Sequence, residues 1–135
     1  MTWAELNEVR DLNKLVQAIE KEIQILSQIP IKPSLPDGMP KVKSISSAVE
    51  SVLVRRETAE KRLNYLKKLL EVSSSKLERK LDELIADSLC RTIYKFRYVD
   101  CMYFRDIGIL MGYSEAHIYY LHRITGEKII SDWIK

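Results

Sequence analysis

Glycine and proline are scarce in this 135-residue chain: there are four of each, and every proline falls within residues 30–40. With so few breakers, long helices can form on both sides of that stretch, so an all-α fold is expected. Cysteine is also rare. Cys90 and Cys101 have no CxxC spacing, which argues against a disulfide framework or a thiol metal site and points to a reducing cytoplasm. No segment has the character of a secretory signal, and no apolar run is long enough to cross a bilayer. Enzyme motifs are missing too. There is no glycine loop to cradle phosphate and no nucleophile beside a base, so neither catalysis nor a cofactor is expected.

Charge is nearly balanced, at +3 overall, but it is unevenly spread. Lys and Arg number three against five acids in residues 1–31, nine against five in 32–72, and ten against nine in 76–135. The basic middle could attract a polyanion or neutralise the acidic first segment, so charge alone does not decide the function.

The apolar pattern is clearer. Val9, Leu12, Val16, Ile19, Ile23 and Leu26 alternate three and four apart, which places them on one stripe of a helix expected over residues 2–28. Pro30, Pro33, Pro36 and Pro40 cannot continue it, so residues 30–43 read as a linker. A second stripe follows at Ile45, Val49, Val52, Arg56, Ala59, Leu63, Leu66 and Leu70. This helix, starting at a Ser44 or Ser46 cap and running to about residue 72, would be ~40 Å long. The two helices would form an antiparallel hairpin or coiled-coil arm over residues 1–74. Because a two-helix hairpin buries little, association with further copies is favoured. Arg56 on the seam would need an ionic partner.

Ser73, Ser74 and Ser75 interrupt the stripe, and Ser75 with Glu78 has capping-box spacing. Two readings stand: a new helix from Ser75, or one unbroken helix over residues 46–98. Either presents Leu77, Leu81, Leu84, Ile85, Leu89 and Ile93 on one face. A second domain is expected over residues 75–135.

Within it, the run from Asp106 to Leu121 meets the needs of a helix-turn-helix. Ile107 and Leu110 would form the inner face of the first helix. Gly112 suits the left-handed residue of the turn, Ser114 a cap, and Ile118 with Leu121 the buried side of the second helix. Glu115, Ala116, His117, Tyr119, Tyr120 and Arg123 would face outward.

The segment Asp106-Ile-Gly-Ile-Leu-Met-Gly112-Tyr-Ser114 resembles the C-terminal helix-turn-helix of primary sigma factors, with Met111 in place of that family's leucine. Together with Arg97-Tyr98-Val-Asp100 and Leu121-His122, it resembles small phage proteins of the ArpU and RinA type, which regulate late transcription. The resemblance spans about residues 84–130 and omits the arm. It implies a phage or prophage regulator in a bacterial host that binds double-stranded DNA, and it leaves contact with host RNA polymerase open.

The outward face departs from the sigma pattern by lacking a guanine-reading arginine. Glu115, Ala116, His117, Tyr119 and Tyr120 would instead read base edges, with one tyrosine packed on the adjoining helix. Phosphate contacts would come from Lys95, Arg97, Arg105, Ser114, Arg123 and Lys128. So few cations imply weak monomer binding, strengthened if the arm joins reading heads. Two other readings are a small terminase subunit and a sigma-like adaptor that binds protein. His117 and His122, five apart, fall on different helix faces, so no metal site is expected. His122 reads as a helix-packing or phosphate-contact residue, Cys90 and Cys101 as small buried hydrophobes, and Trp133 as a closure of the small core or a partner contact.

Overall fold

The computed structural model describes residues 1–29 and 42–134, with residues 42–46 as backbone alone. The described residues form five helices and no strand, which makes the chain all-α: α1 (Trp3–Ser27), α2 (Val42–Leu84), α3 (Ser88–Tyr98), α4 (Phe104–Met111) and α5 (Glu115–Ile129). Most of the expected linker, residues 30–41, lies outside the described residues. Its last two positions, Val42 and Lys43, belong to α2.

Helix α1 matches its stripe to within a residue at each end. Helix α2 corrects both readings of the serine stretch. It passes through Ser73–Ser75 without a break and stops at Leu84, well short of Tyr98. Along α2, Leu66, Leu70, Ser73, Leu77 and Leu81 keep a spacing of four, three, four and four, so Ser73 occupies a stripe position rather than an end. Ser73 is half-buried, and its hydroxyl donates to Glu8 Oε1 at 3.5 Å. The capping box expected at Ser75 is not used. The actual break falls at Ile85-Ala86-Asp87. There Asp87 caps α3, its Oδ1 accepting from the Leu89 amide at 3.1 Å while Oδ2 accepts from Cys90 Sγ. Aspartate is among the best N-caps, and it supplies the signal that the serines do not.

The chain divides into two compact units. One comprises Leu15–Lys68. Within it Val16, Ile19, Leu26 and Ala59 are buried, while Ile23, Val49, Val52, Leu63 and Leu66 are half-buried. Glu20 accepts an ion pair from Lys67 at 3.6 Å. Arg56 finds its partner on its own helix, at Glu60, 3.3 Å away.

The other unit comprises Met1–Lys14 with Leu69–Lys135, so the C-terminal helices share a core with the first turns of α1 rather than beginning afresh at residue 75. The cause is burial. Leu6 and Val9 of α1 join Leu77, Leu81, Ile85, Cys90, Tyr94, Tyr98 and Ile130 in one apolar cluster, with Leu70 packed against it. Leu84 is exposed and Leu89 only half-buried, so the expected face is narrower than its spacing suggested. Glu5 meets Lys80 at 2.9 Å and Glu8 meets Ser73, so these stretches of α1 and α2 run in opposite directions. The Lys80 hydrogen bond holds the Glu5 carboxyl below its ordinary range. At the far end Trp3 stacks on Trp133 at 5.0 Å, its amide donates to Asp132 Oδ1 at 2.9 Å, and the Ser131 amide donates to the Met1 carbonyl. No helix among the described residues is long and apolar enough to cross a membrane.

Candidate functional site

Helices α3, α4 and α5 pack around Ile93, Ile107 and Ile118, all with no exposed surface. Met102, Phe104, Met111 and Leu121 close the cluster. Leu110, expected on the inner face of α4, is 62% exposed, and Ile109 is exposed beside it. The helix instead turns Ile107 and Gly108 inward. At Gly108 a Cβ would come within 2.8 Å of the Tyr113 carbonyl, so the turn folds back over bare backbone. Spacing alone could not separate Leu110 from Met111, because both lie within one turn of Ile107.

The connection from α4 to α5 is three residues long. Gly112 is left-handed, with φ 76° and ψ 27°, and the Tyr113 amide donates to the Gly108 carbonyl at 2.9 Å. Ser114 is extended and caps α5, its Oγ accepting from the His117 amide at 3.2 Å. Both residues play the local parts their chemistry suggested. The connection from α3 to α4 is held by the Met102 amide on the Phe96 carbonyl, and it carries Cys101 at φ 59°.

With Ile118 buried, Glu115, Ala116, His117, Tyr119, Tyr120 and Arg123 are all exposed on α5. They make an aromatic surface rather than a cationic one. Tyr119 packs on Phe104 with ring centres 4.4 Å apart, His117 lies between Tyr113 and Tyr120, and the Arg123 guanidinium stands 5.7 Å over the Tyr120 ring.

Apart from Ser114, whose hydroxyl caps α5, the candidate phosphate contacts divide into two sets. Lys95 is bound to Asp82 at 2.8 Å, and Arg91 approaches the same carboxylate. Arg97 is half-buried; it donates to the Met102 carbonyl at 3.0 Å and covers the Phe104 ring at 4.3 Å. Burial, then the nearby Arg10, lowers its pKa. Arg105, Arg123 and Lys128 are exposed and form no ion pair among the described residues.

His122 belongs to the interior. Its ring stacks on Tyr94 at 4.9 Å, and its Nε2 lies 2.6 Å from Tyr98 Oη. The Tyr94 hydroxyl donates to the His122 carbonyl at 2.6 Å. Burial, aided by Arg97, holds the imidazole at a pKa of about 4, so it is neutral near pH 7. Burial likewise raises the Tyr94 phenol and pushes Tyr98 up to about 12. Cys90 is buried and Cys101 half-buried, and burial raises both thiols. Tyr94 and Tyr98, the partners of His122, are not among the residues expected from the sequence, although their spacing of four is a visible signal. Nor is Phe104, which supports both Arg97 and Tyr119. No protein-family model, curated protein or solved structure matches this chain.

Proposed function

We propose that this chain is a sequence-specific DNA-binding protein of the phage or prophage transcriptional-regulator kind, in which α4, the Gly112–Ser114 turn and α5 act as a helix-turn-helix. The observation that carries the reading is the division of α5. Ile118 is locked beneath it, while Glu115, His117, Tyr119 and Tyr120 stand exposed on a capped helix that a major groove could admit. Glu115 can accept from cytosine, His117 can donate to a base edge, and the tyrosines can meet thymine methyls. Arg105, Arg123 and Lys128 are the cations available for phosphate. Such a small set supports a reading head that works as part of an oligomer, with residues of the 1–74 arm as the source of association.

Selection of bound genomic fragments, followed by anisotropy titration, tests this. Ala at Glu115, His117 and Tyr120 together should abolish sequence preference while helicity and solution mass stay unchanged; an unaltered preference would refute the assignment. Mass also separates a regulator dimer from the many-membered ring of a packaging protein. An adaptor that binds protein has support of its own, since Ile109 and Leu110 are 71% and 62% exposed and two expected cations are engaged. Absence of any DNA binding at low salt would favour it.

A further inference from the structure

Beside the exposed face of α5 lies an open cleft of about 540 Å³, lined by Phe104, Ala116, Tyr119, Tyr120, Arg123 and Trp133, with His122 also bordering it. Its volume lies within the range of sites that hold small organic ligands. Its walls are mostly aromatic, and no carboxylate lines it. The only formal charge on the lining is Arg123, which has no ionic partner among the described residues, because His122 is held neutral by burial.

The cleft is also braced. Trp133 stacks on Trp3, and it sits so close to Gly126 that a Cβ there would overlap its ring. Phe104 is held in place by the Arg97 guanidinium, 4.3 Å from its ring centre, and by the tilted Tyr119 ring at 4.4 Å. Such a site complements a flat ring carrying an anion a short distance away. Arg123 follows Tyr119 and Tyr120 by four and three residues, so it stands one turn, about 5 Å, along the helix from them.

We propose that this cleft binds an unpaired nucleotide, the base stacked against the aromatic walls and the phosphate held by Arg123. A base inside a duplex offers only its edges, whereas stacking needs an exposed ring face. The ligand is therefore either a free nucleotide or a base of an unpaired strand. Because Tyr119, Tyr120 and Arg123 also belong to the face proposed for duplex reading, occupancy of the cleft would compete with duplex binding. The inference does not depend on that reading, since its ligand is a different one.

Tryptophan emission of the full chain, titrated with thymidine 5′-monophosphate, thymidine and a short oligothymidine strand, tests the proposal. Saturable quenching is expected with the monophosphate and the strand, and about tenfold weaker binding with the nucleoside, as loss of one charge-assisted contact implies. Arg123→Gln should erase the difference between nucleotide and nucleoside, and Ala116→Leu, which fills the cleft at an exposed position, should abolish both. Tighter binding of the strand assigns an unpaired strand as the source; equal or tighter binding of the monophosphate assigns a free nucleotide. Three results would overturn the proposal: no saturable quenching by either, equal affinity for nucleoside and nucleotide, or quenching indifferent to both substitutions. Duplex binding without any response to unpaired ligands would overturn it too, while leaving the duplex-reading proposal intact.

Discussion

Tyr98 Oη and His122 Nε2 lie 2.6 Å apart inside the C-terminal core, and with the imidazole proton on Nδ1 the phenol donates to the ring. Burial keeps the histidine neutral there. Protonating Nε2 would reverse the hydrogen bond, the ring then donating to the phenol oxygen, and would leave a cation near Arg97 in a site that burial already makes hostile to charge.

A pH dependence of stability follows from this pair. The folded pKa of His122 is about 4, against 6.5 for the free side chain. The unfolded chain therefore binds the extra proton first, and stability rises with pH between those values. The full contribution is present above about pH 6.5 and is lost as pH falls towards 4, to an extent of about 3 kcal/mol. Urea unfolding across this range should give a steeper loss for the native chain than for His122→Gln. Parallel curves would contradict the assignment.

Ile107 and Leu110 should respond very differently to truncation. Ile107 has no exposed surface, and Ile107→Ala should cost about 3 kcal/mol in denaturant unfolding. Leu110 is 62% exposed, and Leu110→Ala should change stability by less than about 0.5 kcal/mol. Equal costs would mean that α4 is rotated about its axis relative to the packing described above.

Gly126→Ala sets two effects in opposition. Replacing a mid-helix glycine normally gains about 1 kcal/mol, but here the methyl overlaps the Trp133 ring. Displacing that ring should win, with a net loss of about 1 to 2 kcal/mol and altered tryptophan emission. In a Trp133→Ala background the same substitution should become stabilising. A double-mutant cycle measures the reversal directly.

If the chain binds duplex DNA, the salt dependence should distinguish the exposed cations from the engaged ones. Arg123→Ala should reduce the magnitude of the slope of log K against log salt by about one, because one phosphate contact is lost. Lys95→Ala should leave the slope nearly unchanged, since Asp82 already neutralises that ammonium at 2.8 Å. Anisotropy at several salt concentrations reads both.

Local physics explains what could be read in advance. The helical class follows from the placement of glycine and proline, and the bounds of α1 follow from its apolar period. Gly112 and Ser114 act through their own backbone and side-chain chemistry, and Ile118 is buried at the position its spacing indicates. None of these depends on a distant residue. Ser73–Ser75 misled because serine signals a cap only where a helix end leaves amides unpaired. In α2 the apolar stripe carries on through Leu77 and Leu81, and the helix carries on with it.

The amino-acid sequence by itself thus determined the helical content, the turn between α4 and α5, and which α5 side chains face outward. These are set by interactions within a few residues. Only the tertiary structure decided that α2 ends at Leu84, that Leu110 points outward, that Lys95 is neutralised by Asp82, and that His122 is a buried neutral ring. It also joined the first turns of α1 to the C-terminal core through Leu6, Val9 and the Trp3–Trp133 stack. Each of these outcomes depends on partners far away in the chain, and no local pattern encodes the pairing of one distant surface with another.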